Sequence, residues 1–154
     1  MRGRYEIYKS KINLGFGKGN NIGLKYALAN DYDYVFLLNQ DAFLETDTLK
    51  RMIAVSELNI DYGILSPIHL NSDGSKLEMY FSEFVNYQNN PYFYSDFVMS
   101  NTVNEVYDFN FISAAAWLLP IKTLEKIGGF DPIFWHYGED DNYCQRVLYH
   151  NLKI

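Results

Sequence analysis

The chain has a single cysteine, Cys144, which excludes an intramolecular disulfide and a cysteine-based zinc site. It has no block of Lys or Arg, and its formal charge is −6. A nucleic-acid groove is therefore not expected, because neutralising phosphates takes clustered cations. No apolar run approaches the ~20 residues that a membrane-spanning helix needs. The start, Met1-Arg2-Gly3-Arg4, lacks the apolar stretch of a secretory signal. A reducing, cytoplasmic setting is the expectation. Peripheral contact at the inner face of a membrane stays open because 14 Tyr and 11 Phe must be placed, although core and rim packing is their plainer reading. Internal repeats, low-complexity tracts and interdomain linkers are also missing.

What is present is enough for one core: 154 residues at 48% hydrophobic composition predict a single domain or most of one. Glu6-Ile7-Tyr8 reads as a short strand, followed by a glycine-rich loop from Asn13 through Gly15, Gly17 and Gly19 to Asn21. Ile22, Tyr26 and Ala29 then recur at helical spacing, with Asn20 or Asn21 suited to capping the start. The apolar run Tyr34-Val35-Phe36-Leu37-Leu38 completes a βαβ unit, which predicts a parallel pair with a right-handed crossover. A second helix is expected from near Thr46-Asp47, with Leu49, Met52 and Ile53 on one face, and a further strand over Tyr62-Gly63-Ile64-Leu65-Ser66-Pro67.

From 71 to 110 the pattern dissolves into polar residues and aromatics, read as a hairpin around Ser72-Asp73-Gly74 and then a long aromatic-rich loop. In the hairpin, Leu77, Met79 and Phe81 alternate with polar residues. Order returns at Phe111-Ile112-Ser113 and Trp117-Leu118-Leu119, and a short helix over 122–127 stops at Gly128-Gly129 in an αL turn. A last helix, with Cys144, Val147 and Leu148 on one face, opens at Gly138-Glu139-Asp140-Asp141, and Leu152-Lys153-Ile154 begins a strand.

Two acidic clusters about a hundred residues apart stand out. Asn39-Gln40-Asp41 directly follows the apolar run, where open α/β sheets bind ligands beyond their strand ends. Asp41 suits a Mg²⁺ or Mn²⁺ that also takes diphosphate oxygens and water; the plainer reading is a turn before the next helix. The glycine-rich segment fits neither a dinucleotide fingerprint nor a P-loop, yet its amides can approach a phosphate closely. Glu139, Asp140 and Asp141 are favoured at a helix start by the macrodipole alone, while their crowding can raise one pKa toward that of a general base. His136 reads as a packing or rim residue. Trp117, beside Ala114-Ala115-Ala116, reads as core, with a place lining a sugar site as the alternative.

In order and spacing, three stretches resemble a family 2 glycosyltransferase of the GT-A fold, closest to the bacterial rhamnosyltransferase-like branch: the segment from Asn13 to Gly23, the segment from Tyr34 to Asp41, and Gly128-Gly129-Phe130-Asp131 leading to Tyr137-Gly138-Glu139-Asp140-Asp141-Asn142 and Arg146. The resemblance implies a mostly parallel sheet flanked by helices, a donor-binding part over about 1–70 and an acceptor or catalytic part over about 71–154. It implies that Asp41 matches the last Asp of the family's Asp-x-Asp metal motif, with Asn39 in place of the first. Asn20 and Asn21 would lie near the nucleotide, and Trp117 and Asp141 on the acceptor side. Asp140 would be the base that deprotonates the acceptor hydroxyl, supported by Glu139.

The implied reaction is metal-assisted, inverting transfer from a nucleotide-sugar donor to a saccharide or lipid-linked acceptor in polysaccharide biosynthesis. The family's opening strands, which recognise the nucleotide base, have no counterpart before Met1, so the chain is expected to begin inside the domain. A truncated, non-catalytic remnant that binds saccharide or protein is the competing expectation, and a nucleotidyltransferase is a third.

Overall fold

A computed structural model describes residues 5–101 and 104–154. The chain is α/β. Its elements are α1 (Gly15–Leu28), β1 (Tyr34–Leu38), α2 (Thr48–Leu58), α3 (Met79–Phe84), α4 (Pro91–Met99), β2 (Ala116–Pro120), α5 (Ile121–Ile127) and α6 (Glu139–Tyr149).

The expected βαβ unit is not formed. Residues 6–8 are exposed and in no strand, and the glycine-rich segment lies inside α1 rather than before it. Its glycines each cost a helix about 1 kcal/mol against alanine. Packing outweighs that cost: Leu24 and Ala27 are buried, and a Cβ on Gly17 would sit 3.1 Å from Cβ of Phe130 and 3.6 Å from Cβ of Glu139. The helix starts without a side-chain cap at Leu14; Asn13 Oδ1 instead accepts from the Gly15 N–H at 2.9 Å, so neither Asn20 nor Asn21 caps it.

β1 pairs with β2, antiparallel, with Phe36 opposite Leu118. These two strands form the only sheet among the described residues, so a mostly parallel sheet is not what the structure displays. Isolated bridges extend the pair: Leu65 to Leu118 antiparallel, and Tyr62 to Lys153 parallel. The final residues slot between two segments, with Lys153 N–H donating to Asp61 C=O and Phe109 N–H to Ile154 C=O, each at 2.8 Å. Asp108 fixes this corner by accepting from the Tyr62 hydroxyl and pairing with Lys153 Nζ at 2.8 Å.

Backbone bonds from Asn39 to Ala115 and from Ile121 to Asp33 flank the β1–β2 ladder and set its phase. In an antiparallel pair alternate residues bond to the partner, so Val35 and Leu37 face β2, while Tyr34, Phe36 and Leu38 turn their backbone groups to the opposite edge. No strand pairs with that edge among the described residues.

The stretch 71–110, expected to be a hairpin and then a long loop, contains two helices, α3 and α4. Leu70 and Leu77 do bridge across a turn at Gly74, but Met79 and Phe81 belong to α3 and not to an alternating strand. Glu78 caps α3 by accepting from Phe81 N–H, and Asn90 caps α4, with Pro91 at its first position, by accepting from Phe93 N–H. The aromatics obscured these helices because Phe81, Val85 and Phe93 are core residues. Among the described residues no helix is long and apolar enough to cross a membrane.

One hydrophobic cluster runs from Leu24 through Trp117 and Phe130 to Val147 and Ile154, joining α1 to the last residues of the chain in one core. Its central seam is the backbone of 127–130. Asn21 accepts from Phe130 N–H and donates to Phe130 C=O, both at 2.8 Å. Tyr143 donates to Gly128 C=O, and Arg146 donates to the carbonyls of Ile127 and Gly129. Gly128 ends α5 at φ +82°, ψ −166°, a glycine conformation distinct from the expected αL turn. Gly129 is required by proximity, since a Cβ there would lie 2.4 Å from Asn21 Oδ1. Asn21→Ala leaves a backbone donor and acceptor unpaired, so urea unfolding should show a loss of about 2–3 kcal/mol, whereas Asn59→Ala, at an exposed helix end, should stay within about 0.5 kcal/mol.

His69 sits against the Phe81 ring at 4.8 Å and shares a hydrogen bond with Ser66. Burial lowers its pKa below the ordinary 6.5, with Glu78 pulling weakly the other way. A lowered folded pKa means this contribution to stability is whole above about 6.5 and is lost as pH falls toward the folded value. The urea midpoint should therefore drop between pH 7.5 and 5.5, and His69→Gln should flatten the drop.

Candidate functional site

The end of β1 opens into a cleft of about 390 Å³ lined by Phe16, Asn20, Leu37, Leu38, Asn39, Gln40 and Asp41. Two elements build it. The β1 register leaves Leu38 43% exposed at the mouth, and the chain turns there because Ala42 N–H bonds back to Asn39 C=O. The other wall is the first two turns of α1, where Phe16 and Asn20 stand four residues apart on one face. Asn20 is held by donating to Phe16 C=O at 3.0 Å.

Of the residues expected at a site, Asn20, Asn39 and Asp41 thus come together, with Asp41 exposed. Asn21 does not line the cleft: both polar ends of its amide are engaged by Phe130. Trp117 is 0% exposed and stacks near-parallel to Phe130 at 6.1 Å between centroids, so it presents no face to a sugar and occupies the core. Phe16 and Gln40 line the cleft without having been singled out; the Phe16–Asn20 spacing would have revealed the first had α1 been read as starting at Gly15.

The second acidic cluster begins α6 behind Gly138, whose φ of +87° turns the chain into the helix. Glu139 is buried and packs on Gly17, one residue along α1 from the cleft-lining Phe16. Its Oε2 has no hydrogen-bond partner. Asp140 is half-buried, its Oδ1 accepting from Asp141 N–H at 2.9 Å, and exposed Asp141 accepts from Gln145 at 3.0 Å. The macrodipole and these local bonds favour three carboxylates in one turn, and among the described residues none of them forms an ion pair. His136 is exposed, its ring 3.9 Å from that of Tyr137, in keeping with a rim residue. Cys144 is fully buried, and burial pushes its thiol up to about 12, so it is no nucleophile at neutral pH.

Among the described residues no group of three or more His, Cys, Asp or Glu side chains is arranged to hold a metal. The side-chain oxygens of the cleft-lining residues are the Asp41 carboxylate and the amide oxygens of Asn20, Asn39 and Gln40. That set fits a hard Mg²⁺ or Mn²⁺ completed by a ligand's phosphate oxygens and water, and does not fit a preformed cage.

No protein-family model matches the chain, nor does any curated protein or solved structure.

Proposed function

We propose that the chain carries the donor cleft and base of a metal-assisted, inverting glycosyltransferase of the GT-A type, moving a sugar from a nucleotide-sugar to a saccharide or lipid-linked acceptor in polysaccharide biosynthesis. The observation that carries this reading is the sharing of α1: its Phe16 and Asn20 wall the Asp41 cleft, while its Gly17 contacts Glu139 at the start of the acidic helix. Strand direction adds support, since β1 and the segment 62–65 both run against β2 and Lys153 bridges Tyr62 in parallel.

In this reading Asp41, with Asn39 beside it, would hold a divalent cation, which would supply positive charge against the leaving diphosphate when bound. Asn20 orients the nucleotide side. Asp140 takes the proton of the acceptor hydroxyl as oxygen attacks the anomeric carbon from the face opposite the departing diphosphate, which inverts that centre. Glu139 acts as a positioning residue through its packing on α1. Asp141 lies on the acceptor side.

Calorimetry with a nucleoside diphosphate should give binding that needs Mn²⁺ and disappears in Asp41→Ala. Asp140→Asn should keep that binding yet lower sugar transfer by about 10²-fold or more. Metal-independent binding, or unchanged turnover in Asp140→Asn, contradicts the assignment; pyrophosphate release would identify a nucleotidyltransferase instead. A second reading, a non-catalytic saccharide- or protein-binding module, draws on the exposed aromatics of α4, with Tyr92 79% and Phe97 53% exposed. It calls for saccharide binding indifferent to metal.

A further inference from the structure

Only two tryptophans occur in the chain, and they are opposites: Trp117 is wholly buried, while Trp135 is 59% exposed. Trp135 stands in the turn that leads into α6, followed by His136 and by Tyr137, itself 80% exposed. An indole left in water forgoes about 2 kcal/mol or more of burial free energy, although this chain has a core large enough to take the other one.

The turn is firmly placed. The Trp135 carbonyl lies against Gly15 at the head of α1, where a Cβ would come within 2.3 Å of it, and Lys18 Nζ sits 5.6 Å from the Trp135 ring centroid. Tyr137 adopts φ +67°, rare for an aromatic residue, and such a conformation persists only where its surroundings hold it. Beyond the turn come three carboxylates, and the first of them, Glu139, is 5% exposed with an oxygen that lacks any donor. Among the described residues that buried oxygen has no donor, which leaves it able to accept a hydrogen bond from a bound group.

An exposed aromatic ring in the turn that leads into a run of acids suits the two-sided chemistry of a sugar, whose ring has an apolar C–H face and an edge of hydroxyl donors. It does not match an anionic lipid surface, which Glu139, Asp140 and Asp141 would repel. Resting on the transferase reading, we propose that the Trp135-His136-Tyr137 turn is the platform for the acceptor saccharide. One pyranose stacks on the Trp135 face, with its hydroxyls donating to the acids at the head of α6.

The probe is a panel of methyl glycosides of rhamnose, glucose and galactose, followed by saturation-transfer NMR on the sugar C–H protons. At least one glycoside should bind saturably, weaken about fivefold or more in Trp135→Ala, and largely recover in Trp135→Phe, which restores an aromatic face. The exposed position leaves folding intact, as an unchanged urea midpoint would verify. No saturable glycoside, equal binding in Trp135→Ala, or a Trp135 emission shift with anionic vesicles and not with glycosides would each overturn the platform. Titrating a nucleoside diphosphate and Mn²⁺ into the same samples separates the two failures. If that binding persists without any glycoside binding, only the platform falls; if both are missing, the transferase reading falls as well.

Discussion

The two helices nearest the candidate site, α1 and α6, are both tied to the backbone of residues 127–130. Asn21 of α1 and Tyr143 and Arg146 of α6 all spend their polar atoms on it, and the Phe130 ring between them packs on Phe16, Trp117 and Tyr143. A loop rarely receives so many side-chain bonds, and here they replace the strand pairing that would otherwise orient two helices. The Arg146 guanidinium also lies 5.0 Å from the Tyr143 ring, so the cation is neutralised by carbonyl dipoles and a π face instead of a carboxylate. Among the described residues the acids of α6 form no ion pair. The same close contact forces glycine at position 129 and brings Glu139 onto Gly17.

The electrostatic consequence is a cleft that does not attract its proposed ligand unaided. With a formal charge of −6 and an exposed carboxylate in the wall, the chain offers a diphosphate no favourable field. Among the described residues the one ion pair, Lys153 with Asp108, belongs to the corner where the last residues are pinned, and not to the cleft. A ligand that brings its own divalent cation reverses that balance, which is why metal dependence is a central expectation and not an accessory one. Three adjacent acids at the start of α6 are tolerable for a different reason, being set against unsatisfied helix N–H groups.

The sequence made some of this legible. The helices at Thr48, Ile121 and Glu139 follow from apolar spacing and a glycine stop; of the residues the resemblance named, Asn20, Asn39 and Asp41 line one cleft, while Asn21 and Trp117 do not. Other features were hidden by physical competition. Glycines at 15, 17 and 19 signal a loop by propensity, yet all three lie in α1, where Gly17 packs closely against Phe130 and Glu139. Antiparallel pairing of β1 with β2 depends on residues some eighty positions apart, a distance at which local period says nothing. Caps at Glu78 and Asn90 were present in the string but masked by surrounding aromatics, of which Phe81 and Phe93 belong to the core. Trp117 and Trp135 look alike in sequence; only burial tells them apart.

The central claim is that this latch sets the acidic head of α6 beside the Asp41 cleft, across the width of α1. Paramagnetic broadening reads that arrangement directly: Mn²⁺ added with a nucleoside diphosphate should broaden the backbone amides of Asn20, Asn39, Glu139 and Asp140 well before that of Leu58, at the far end of α2. Broadening confined to the surroundings of Asp41, with the amides of Glu139 and Asp140 no more affected than that of Leu58, would contradict it.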